Sequence, residues 1–291
     1  MRAFVAVAEA DSFSLAAERL GITQSTVSKQ IAALERHLQA RLLNRTTRSL
    51  TLTSEGSAFY ESSLRALAAI EEAEAAVGAR GDIQGLLRLT MPLTLAESRV
   101  IASIADFLAM HPRIRIDLRL SDHALNLVAD NIDVALRVGQ LVDSTLVIRR
   151  IGVARRMLVA SPAYLDRAGR PATPADLMTH NCLAYSLSAV GPQWRFSTGE
   201  TVAITGSFRC DSPNALRAAA LAGMGIALNA CWLFEHELAS GQLEAVLTDY
   251  EPVPMPIHAV IPPGRHISAR ARLFIDHIAA AFARDPLCRL D

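Results

Sequence analysis

Phe13-Ser-Leu-Ala-Ala-Glu-Arg-Leu20, Gly21-Ile-Thr23 and Gln24-Ser-Thr-Val-Ser-Lys-Gln-Ile-Ala-Ala-Leu-Glu35 decide how this chain begins to fold. The first run reads as a short helix with Ser14 as its N-cap, because a serine hydroxyl accepts a hydrogen bond from an otherwise orphaned backbone N–H. Gly21 stops it and Thr23 caps the next helix. In that second helix Val27, Ile31, Leu34 and Leu38 recur at i, i+4, i+7 and i+11, one apolar stripe. Ala16, Ala17 and Leu20 give a facing surface small enough for close crossing. Two short helices joined by a glycine turn form a helix-turn-helix. Gln24, Ser25, Ser28 and Lys29 open the polar side of the second helix. They are short hydrogen-bonding groups and one cation at the helix N-terminus, where recognition helices meet base edges and phosphates.

Charge is concentrated around this motif. Lys plus Arg and Asp plus Glu are both 29, so no uniformly basic coat exists. Yet between Arg19 and Arg48 the chain carries Arg19, Lys29, Arg36, Arg41, Arg45 and Arg48 against a single acid, Glu35. A neutral chain with a local basic window has an electrostatic footprint for DNA. Asn44 to Thr53 is β-prone with arginines about a tight turn. It reads as a wing whose Arg45, Thr46 and Arg48 meet the nucleic-acid backbone or minor groove.

After the wing, Phe59, Ser63, Ala66, Ile70, Ala73 and Val77 step alternately by four and three residues, the a/d spacing of a helical seam. These residues are expected to hold a homodimer, with packing inside the same chain as the alternative. The acids Glu55, Glu61, Glu71, Glu72 and Glu74 keep the helix away from DNA, as befits a spacer. Gly78-Ala-Arg-Gly81-Asp-Ile-Gln-Gly85 follows as a hinge by composition.

From Leu86 the pattern changes. Leu86–Thr90 reads as a strand and Leu95–Ala109 as a helix with Ile101, Ile104, Ala105 and Leu108 inward. Ile114, Ile116, Leu118 and Leu120 alternate with polar residues as in a half-buried strand. Asp133–Val138, Met157–Ala160, Val202–Cys210, Gly225–Leu228 and Ile257–Ile261 are further strands, and Pro213–Ala222 is a helix. Strands alternating with helices predict an α/β sheet with crossovers.

The 291 residues suffice for two domains and a large core, and 51% hydrophobic content excludes wholesale disorder. No export signal is expected, because Arg2 is followed by only six apolar residues, Ala3 to Ala8, before Glu9. The longest uncharged apolar stretch, Ala218 to Phe234, is 17 residues, short of the roughly 20 of a membrane helix. The expected location is the cytoplasm, with no membrane partner. Cys182, Cys210, Cys231 and Cys288 lie at least 21 residues apart, so they read as free thiols rather than a disulfide framework. His180 and Cys182 stand alone, and no metal site or cofactor is expected.

Residues Met1 to Gly56 resemble the DNA-binding domain of LysR-type transcriptional regulators. The carrying residues are Ser12-Phe-Ser, Ala16-Ala17, Leu20-Gly21-Ile-Thr, Val27-Ser28, Leu34-Glu35, Leu42-Leu43-Asn-Arg45-Thr-Thr-Arg and Leu52-Thr-x-x-Gly56. The likeness continues through Asp133-Val-Ala-Leu-Arg137-Val-Gly139, Ala160-Ser-Pro162-Ala-Tyr164-Leu, Asp176-Leu-x-x-His180 and Ala222-Gly-Met-Gly225-Ile-Ala-Leu. The chain departs from the family at Met1, where further residues usually precede, at Asn229, where a proline is common, and at Asp211, where asparagine is frequent.

The resemblance implies a winged helix-turn-helix over 1–56, a dimerisation linker helix and hinge over 57–85, and an effector domain over 86–291. That domain resembles periplasmic binding proteins, with lobe I at about 86–161 and 262–291 and lobe II at about 162–261. It implies double-stranded promoter DNA as one partner, a small-molecule co-inducer as another, and a dimer of dimers. The loops after the strands would line the cleft between lobes. Ligands of α/β sheets sit at strand carboxyl ends near helix N-termini, which favour anions. Thr94, Ser121, Asp211 and Ser212 occupy such loops and Arg137 ends a strand, so a small carboxylate leads as the effector class.

An enzyme or small-molecule-binding protein with an appended DNA module is the alternative, told apart by turnover. A nucleoid protein is a third reading, told apart by binding all DNA alike. Gly223-x-Gly225 lacks the context of a dinucleotide loop, and neither a Walker A loop nor a G-x-S-x-G elbow is present.

Overall fold

The computed structural model describes all residues except Asp11, 46–49, 77–82, 124, 128, 141–146, 189–190, 263–266 and Asp291; for Arg45, Arg65, 68–69, 71–76 and Val147 it describes the backbone alone. The chain forms two compact units, Met1–Gly81 with Arg265–Ala269, and Asp82–Gly264 with Arg270–Asp291.

The first unit contains α1 (Arg2–Ala10), α2 (Phe13–Leu20), α3 (Gln24–Leu38), β1 (Leu43–Arg45), β2 (Leu50–Leu52) and α4 (Ser54–Ala76). Ser12, rather than Ser14, caps α2. Its backbone is extended, and its hydroxyl accepts the Leu15 N–H at 3.4 Å. Periodicity does not choose between two serines flanking Phe13; the backbone conformation does. Gly21 closes α2 in the left-handed conformation, φ 65°, which a side chain disfavours. The Thr23 hydroxyl accepts the Thr26 N–H at 3.3 Å and starts α3.

Val27 and Ile31 are fully buried against Phe4, Val7, Ala16 and Ala17. Each such burial contributes roughly 1.5–3 kcal/mol. Leu42 and Leu43 extend the same core into the β1–β2 ribbon, which is antiparallel with Leu43 opposite Leu52 and Arg45 opposite Leu50. Gly56 begins α4 against this ribbon. A Cβ there would stand 2.0 Å from the Leu42 carbonyl oxygen, which accounts for the glycine of Leu52-Thr-x-x-Gly56.

The second unit runs β3 (Gly85–Met91), α5 (Leu93–Leu95), a π-helical turn (Ala96–Val100), α6 (Ile101–Met110), β4 (Ile114–Leu120), β5 (Val134–Val138), β6 (Val147–Ala154) and β7 (Arg156–Ala160). It continues with α7 (Pro162–Ala168), β8 (Cys182–Tyr185), β9 (Gln193–Arg195), β10 (Thr201–Ala203), β11 (Arg209–Cys210), α8 (Pro213–Leu221) and β12 (Ile226–Ala230). It ends with α9 (Glu235–Ala239), β13 (Glu244–Val246), β14 (Met255–Ile261) and α10 (Ala269–Arg284). Two five-stranded sheets result, ordered β4-β3-β5-β14-β6 and β11-β8-β12-β7-β13. In each, one strand runs against the rest, β14 in the first and β7 in the second.

Three sequence expectations need correction. β7 belongs to the second sheet and β14 to the first, so the lobe boundaries fall near Arg155 and Pro254 rather than at 161/162 and 261/262. An apolar strand suits either sheet, so hydropathy shows no break at a crossing. The stretch 202–210 makes two short strands instead of one. Gly206 lies between them so close to Cys182 that a Cβ would meet its carbonyl oxygen at 2.0 Å. On α6 the inward face is Val100, Ile104 and Phe107, while Ile101 is 46% exposed. The π turn just before it carries more residues per turn and rotates the face. Phe107 meets Phe274 of α10 edge-on at 5.5 Å. No helix among the described residues is long and apolar enough to cross a membrane.

Candidate nucleic-acid interface and ligand cavity

In the first unit Gln24 opens α3, and Gln24, Ser25 and Lys29 are exposed, with Ser28 half-buried beside them. The Thr23 hydroxyl lies 3.0 Å from that of Ser25 and 2.8 Å from that of Thr26, so the N-cap orders the first turn's hydroxyls. Glu35, the one acid of the basic window, is spent on the scaffold. Its Oε1 accepts the Leu42 N–H at 2.9 Å and the Leu43 N–H at 3.2 Å, pinning the ribbon to α3. Arg45 is the last residue of β1; its side chain, Thr46 and Arg48 lie outside the described residues.

The dimerisation stripe divides. Phe59 is half-buried with its ring 5.5 Å from Phe4, and Ser63 is wholly buried. Tyr60, Leu64 and Leu67 pack on the same core. The first turns of α4 therefore contribute to the chain's own core, and Ser63, wholly buried, offers no surface to a second chain. Ala66 is half-buried and Ile70 is 45% exposed. The Ala73 side chain and Val77 lie outside the described residues.

In the second unit a cavity of about 420 Å³ is lined from both sheets. Its walls come from the carboxyl ends of β3, β5, β8 and β12, where α/β sheets bind ligands. Thr94 and Arg137 line it as expected; Ser121, Asp211 and Ser212 do not. The Ser121 hydroxyl is turned onto the backbone of His123, and its carbonyl accepts Arg137 Nη1 at 2.7 Å. The Ser212 hydroxyl caps α8 by accepting the Ala215 N–H at 3.3 Å. Asp211, 60% exposed, faces His123 Nε2 at 3.4 Å.

The cavity's charge is one-sided. Among the described residues Arg137, Arg156, Arg195 and Arg209 line it against one acid, Asp122. Burial lowers the Arg137 pKa, opposed by the charge of Asp122. Burial raises Asp122, opposed by Arg137. Those two compensate each other. Burial alone pushes Arg156 down to about 10, and its Nε donates to the Val253 carbonyl at 2.8 Å. Tyr185 is raised by burial and then by the charges of Asp122 and Asp211. Arg137 Nη2 and Trp232 Nε1 are sealed from water and have no acceptor among the described residues. The wall thus has donors in excess of acceptors. Trp194, Leu228 and Ile204 supply apolar surface.

Arg156, Trp194, Asn229 and Trp232 were not marked as cavity residues from the sequence. The one available signal was an arginine heading the apolar run Met157–Ala160. No group of three or more His, Cys, Asp and Glu residues among the described ones is arranged to hold a metal ion.

A winged helix-turn-helix joined to a two-sheet unit with an arginine-bearing, largely apolar cavity defines a ligand-responsive DNA-binding regulator. Residues 1–57 match the family model described as bacterial regulatory helix-turn-helix protein, lysR family, and residues 80–283 match the LysR substrate binding domain. The chain belongs to the LysR-type transcriptional regulators.

It is 35% identical to an HTH-type transcriptional repressor of Pseudomonas aeruginosa, covering 100% of this chain and 93% of that protein. Among solved structures it resembles CrgA, a LysR-type transcriptional regulator from Neisseria meningitidis, at 32% identity and TM-score 0.60, covering 96% of both chains. It also resembles AphB, the Vibrio cholerae virulence activator, at 32% identity and TM-score 0.58, covering 96% of this chain and 97% of that one. The family is one of transcriptional regulators rather than enzymes. Its partners are DNA and small-molecule effectors bound by the substrate domain.

Proposed function

We propose that this chain is a cytoplasmic homo-oligomeric regulator, a dimer or dimer of dimers, whose effector is a small carboxylate. Gln24, Ser25, Ser28 and Lys29 read base edges, and Arg45, Thr46 and Arg48 hold the DNA backbone. The observation that carries the effector class is the cavity wall, which among the described residues has four arginines and one acid. A carboxylate supplies the negative charge and the acceptors that this wall lacks. The co-inducer acts by binding two conformations with unequal affinity, since equal affinity shifts nothing. Thr94 and Arg137 contribute to the cavity, while Ser121, Asp211 and Ser212 shape its surrounding turns.

Linkage tests this reading. Carboxylates from the genes beside mapped binding sites are titrated into the full-length chain with and without operator DNA. An effector should change operator affinity, and operator should change effector affinity by the same factor, typically ~5–150-fold. Carboxylates that bind with no change in operator affinity would remove the regulatory role of the cavity.

A further inference from the structure

Of the four arginines around the cavity, one stands apart. Arg195 and Arg209 are exposed, so water solvates them. Arg137 has Asp122 beside it and spends Nη1 on the Ser121 carbonyl. Arg156 is half-buried with no acid partner among the described residues, and only its Nε is hydrogen-bonded, which leaves both Nη groups accessible. A buried charge without a counterion is costly, and an anion that enters the cavity recovers that cost. With Nε engaged by Val253, the two Nη groups remain for an end-on, two-bond contact with one carboxylate.

The surroundings of Arg156 describe the rest of the ligand. β12 runs antiparallel to β7 with Ala230 opposite Arg156 and Leu228 opposite Leu158. Residues two apart on a strand share a face. Arg156, Leu158, Leu228 and Ala230 therefore lie on one side of the sheet. Leu158 and Leu228 belong to the core cluster that also holds Trp194 and Ile204, and Leu228, Trp194 and Ile204 reach the cavity wall. A carboxylate on Arg156 therefore places the body of its ligand over an apolar surface.

We infer that Arg156 anchors the effector and that the effector is a monocarboxylate with an apolar body. This rests on the cavity being the effector site. One charge suffices because Arg156 is the half-buried arginine of the lining that has no acid beside it among the described residues. A second carboxylate would meet Arg137, already opposite Asp122, or the exposed and solvated Arg195 and Arg209, and would recover less.

The chain's two tryptophans, Trp194 and Trp232, both line the cavity, so their emission reports occupancy. The full-length chain is titrated with benzoate, hexanoate, benzamide and succinate up to tens of millimolar. Benzoate or hexanoate should change emission saturably, and which binds tighter tells an aromatic body from an aliphatic one. Benzamide and succinate should bind at least about tenfold more weakly, the size of one charge-assisted contact. Arg156→Gln should weaken the bound monocarboxylate at least about tenfold and Arg156→Lys less, whereas Arg115→Gln, exposed on β4 and not part of the cavity wall, should change it by under about twofold. Circular dichroism checks that each variant is folded. If Arg156→Gln is not, the wild-type ratios and Arg156→Lys decide. Equal binding of benzoate and benzamide, no response to any probe, or unchanged benzoate affinity in folded Arg156→Gln overturns the inference. A ligand indifferent to Arg156 that still shifts operator affinity removes the anchor and leaves the effector cavity standing.

Discussion

The two units of this chain use arginine in opposite ways. Around α3, Arg19, Lys29, Arg36 and Arg41 stand open to water, where each is worth little until many phosphates are met at once. In the cavity, Arg156 is half-buried, has no acid partner among the described residues and is pushed down to about 10 by burial, so a single partner matters. The first arrangement is additive, long-ranged and screened by salt. The second is short-ranged, nearly blind to salt and selective for one geometry. A regulator needs both, because it must find DNA along a polyanion yet answer to one small molecule.

The comparison can be broken most completely at Gly56. A Cβ at that position would stand 2.0 Å from the Leu42 carbonyl oxygen, so the ribbon and α4 must part. Gly56→Ala should destabilise the first unit by about 3–5 kcal/mol and abolish operator binding. Both tryptophans lie in the second unit, so their emission and carboxylate titration should stay as in the wild type. Mobility shift and fluorescence on the same sample check this. Loss of both functions together would mean that the units do not fold separately.

Salt separates the two regimes without a mutation. If about six phosphates are contacted, operator affinity should fall by about 10³ between roughly 50 and 200 mM salt. Arg45→Ala should flatten that slope by about one contact. Carboxylate affinity in the cavity should change less than about threefold over the same range, because buried charges are screened little. Parallel steepness in both titrations would contradict the burial of Arg156.

The contrast also explains what could be read from sequence. The DNA motif is built by neighbours: Thr23, Gln24, Val27 and Ile31 lie within one helix and its cap, so periodicity and capping chemistry reach them. Even there, the choice between Ser12 and Ser14 required backbone conformation. The stripe on α4 was legible as apolar, but spacing alone could not say that Phe59 and Ser63 serve their own chain. The cavity is built by strangers. Arg156, Trp194 and Asn229 come from three strands, and the wall assembles only once β12 has paired with β7. Thr94 and Arg137 were found because they follow or end strands; Ser121 and Ser212 occupy equally suggestive loops, but local backbone groups claim their hydroxyls.

Alkali should weaken the second unit selectively. Burial raises Cys182 to about 12, Cys231 to about 11 and Cys288 to about 12, from an ordinary value of 9.0. A group whose folded pKa exceeds its unfolded value contributes stability below the unfolded pKa, and that stability drains as pH rises toward the folded one. Between pH 9 and 10 each thiol should therefore cost on the order of 1 kcal/mol. Arg156 works in the opposite direction, but only from about pH 10 upward. Urea melts followed by tryptophan emission should show the midpoint falling from pH 8 to pH 10. Replacing Cys182 and Cys288 with alanine should reduce that fall. An unchanged fall would assign it to other groups.

The smallest expected effect on folding is at Ile70, and that smallness makes it useful. Ile70 is 45% exposed in one chain, on the part of α4 beyond the contacts of Phe59, Leu64 and Leu67 with the first unit's core. Ile70→Glu therefore removes little buried surface from the monomer and should change its unfolding free energy by no more than about 0.5 kcal/mol. In a seam between two chains the same glutamate would lose water without gaining a partner, which is costly. Sedimentation should then show a smaller species with unchanged helicity, and operator affinity should fall because two half-sites are no longer held together. Ser63→Ala is the contrasting variant: Ser63 is buried within its own chain, so the oligomer should survive it. An unchanged oligomer in Ile70→Glu would leave the open side of α4 as a solvated face and place the dimer contact elsewhere.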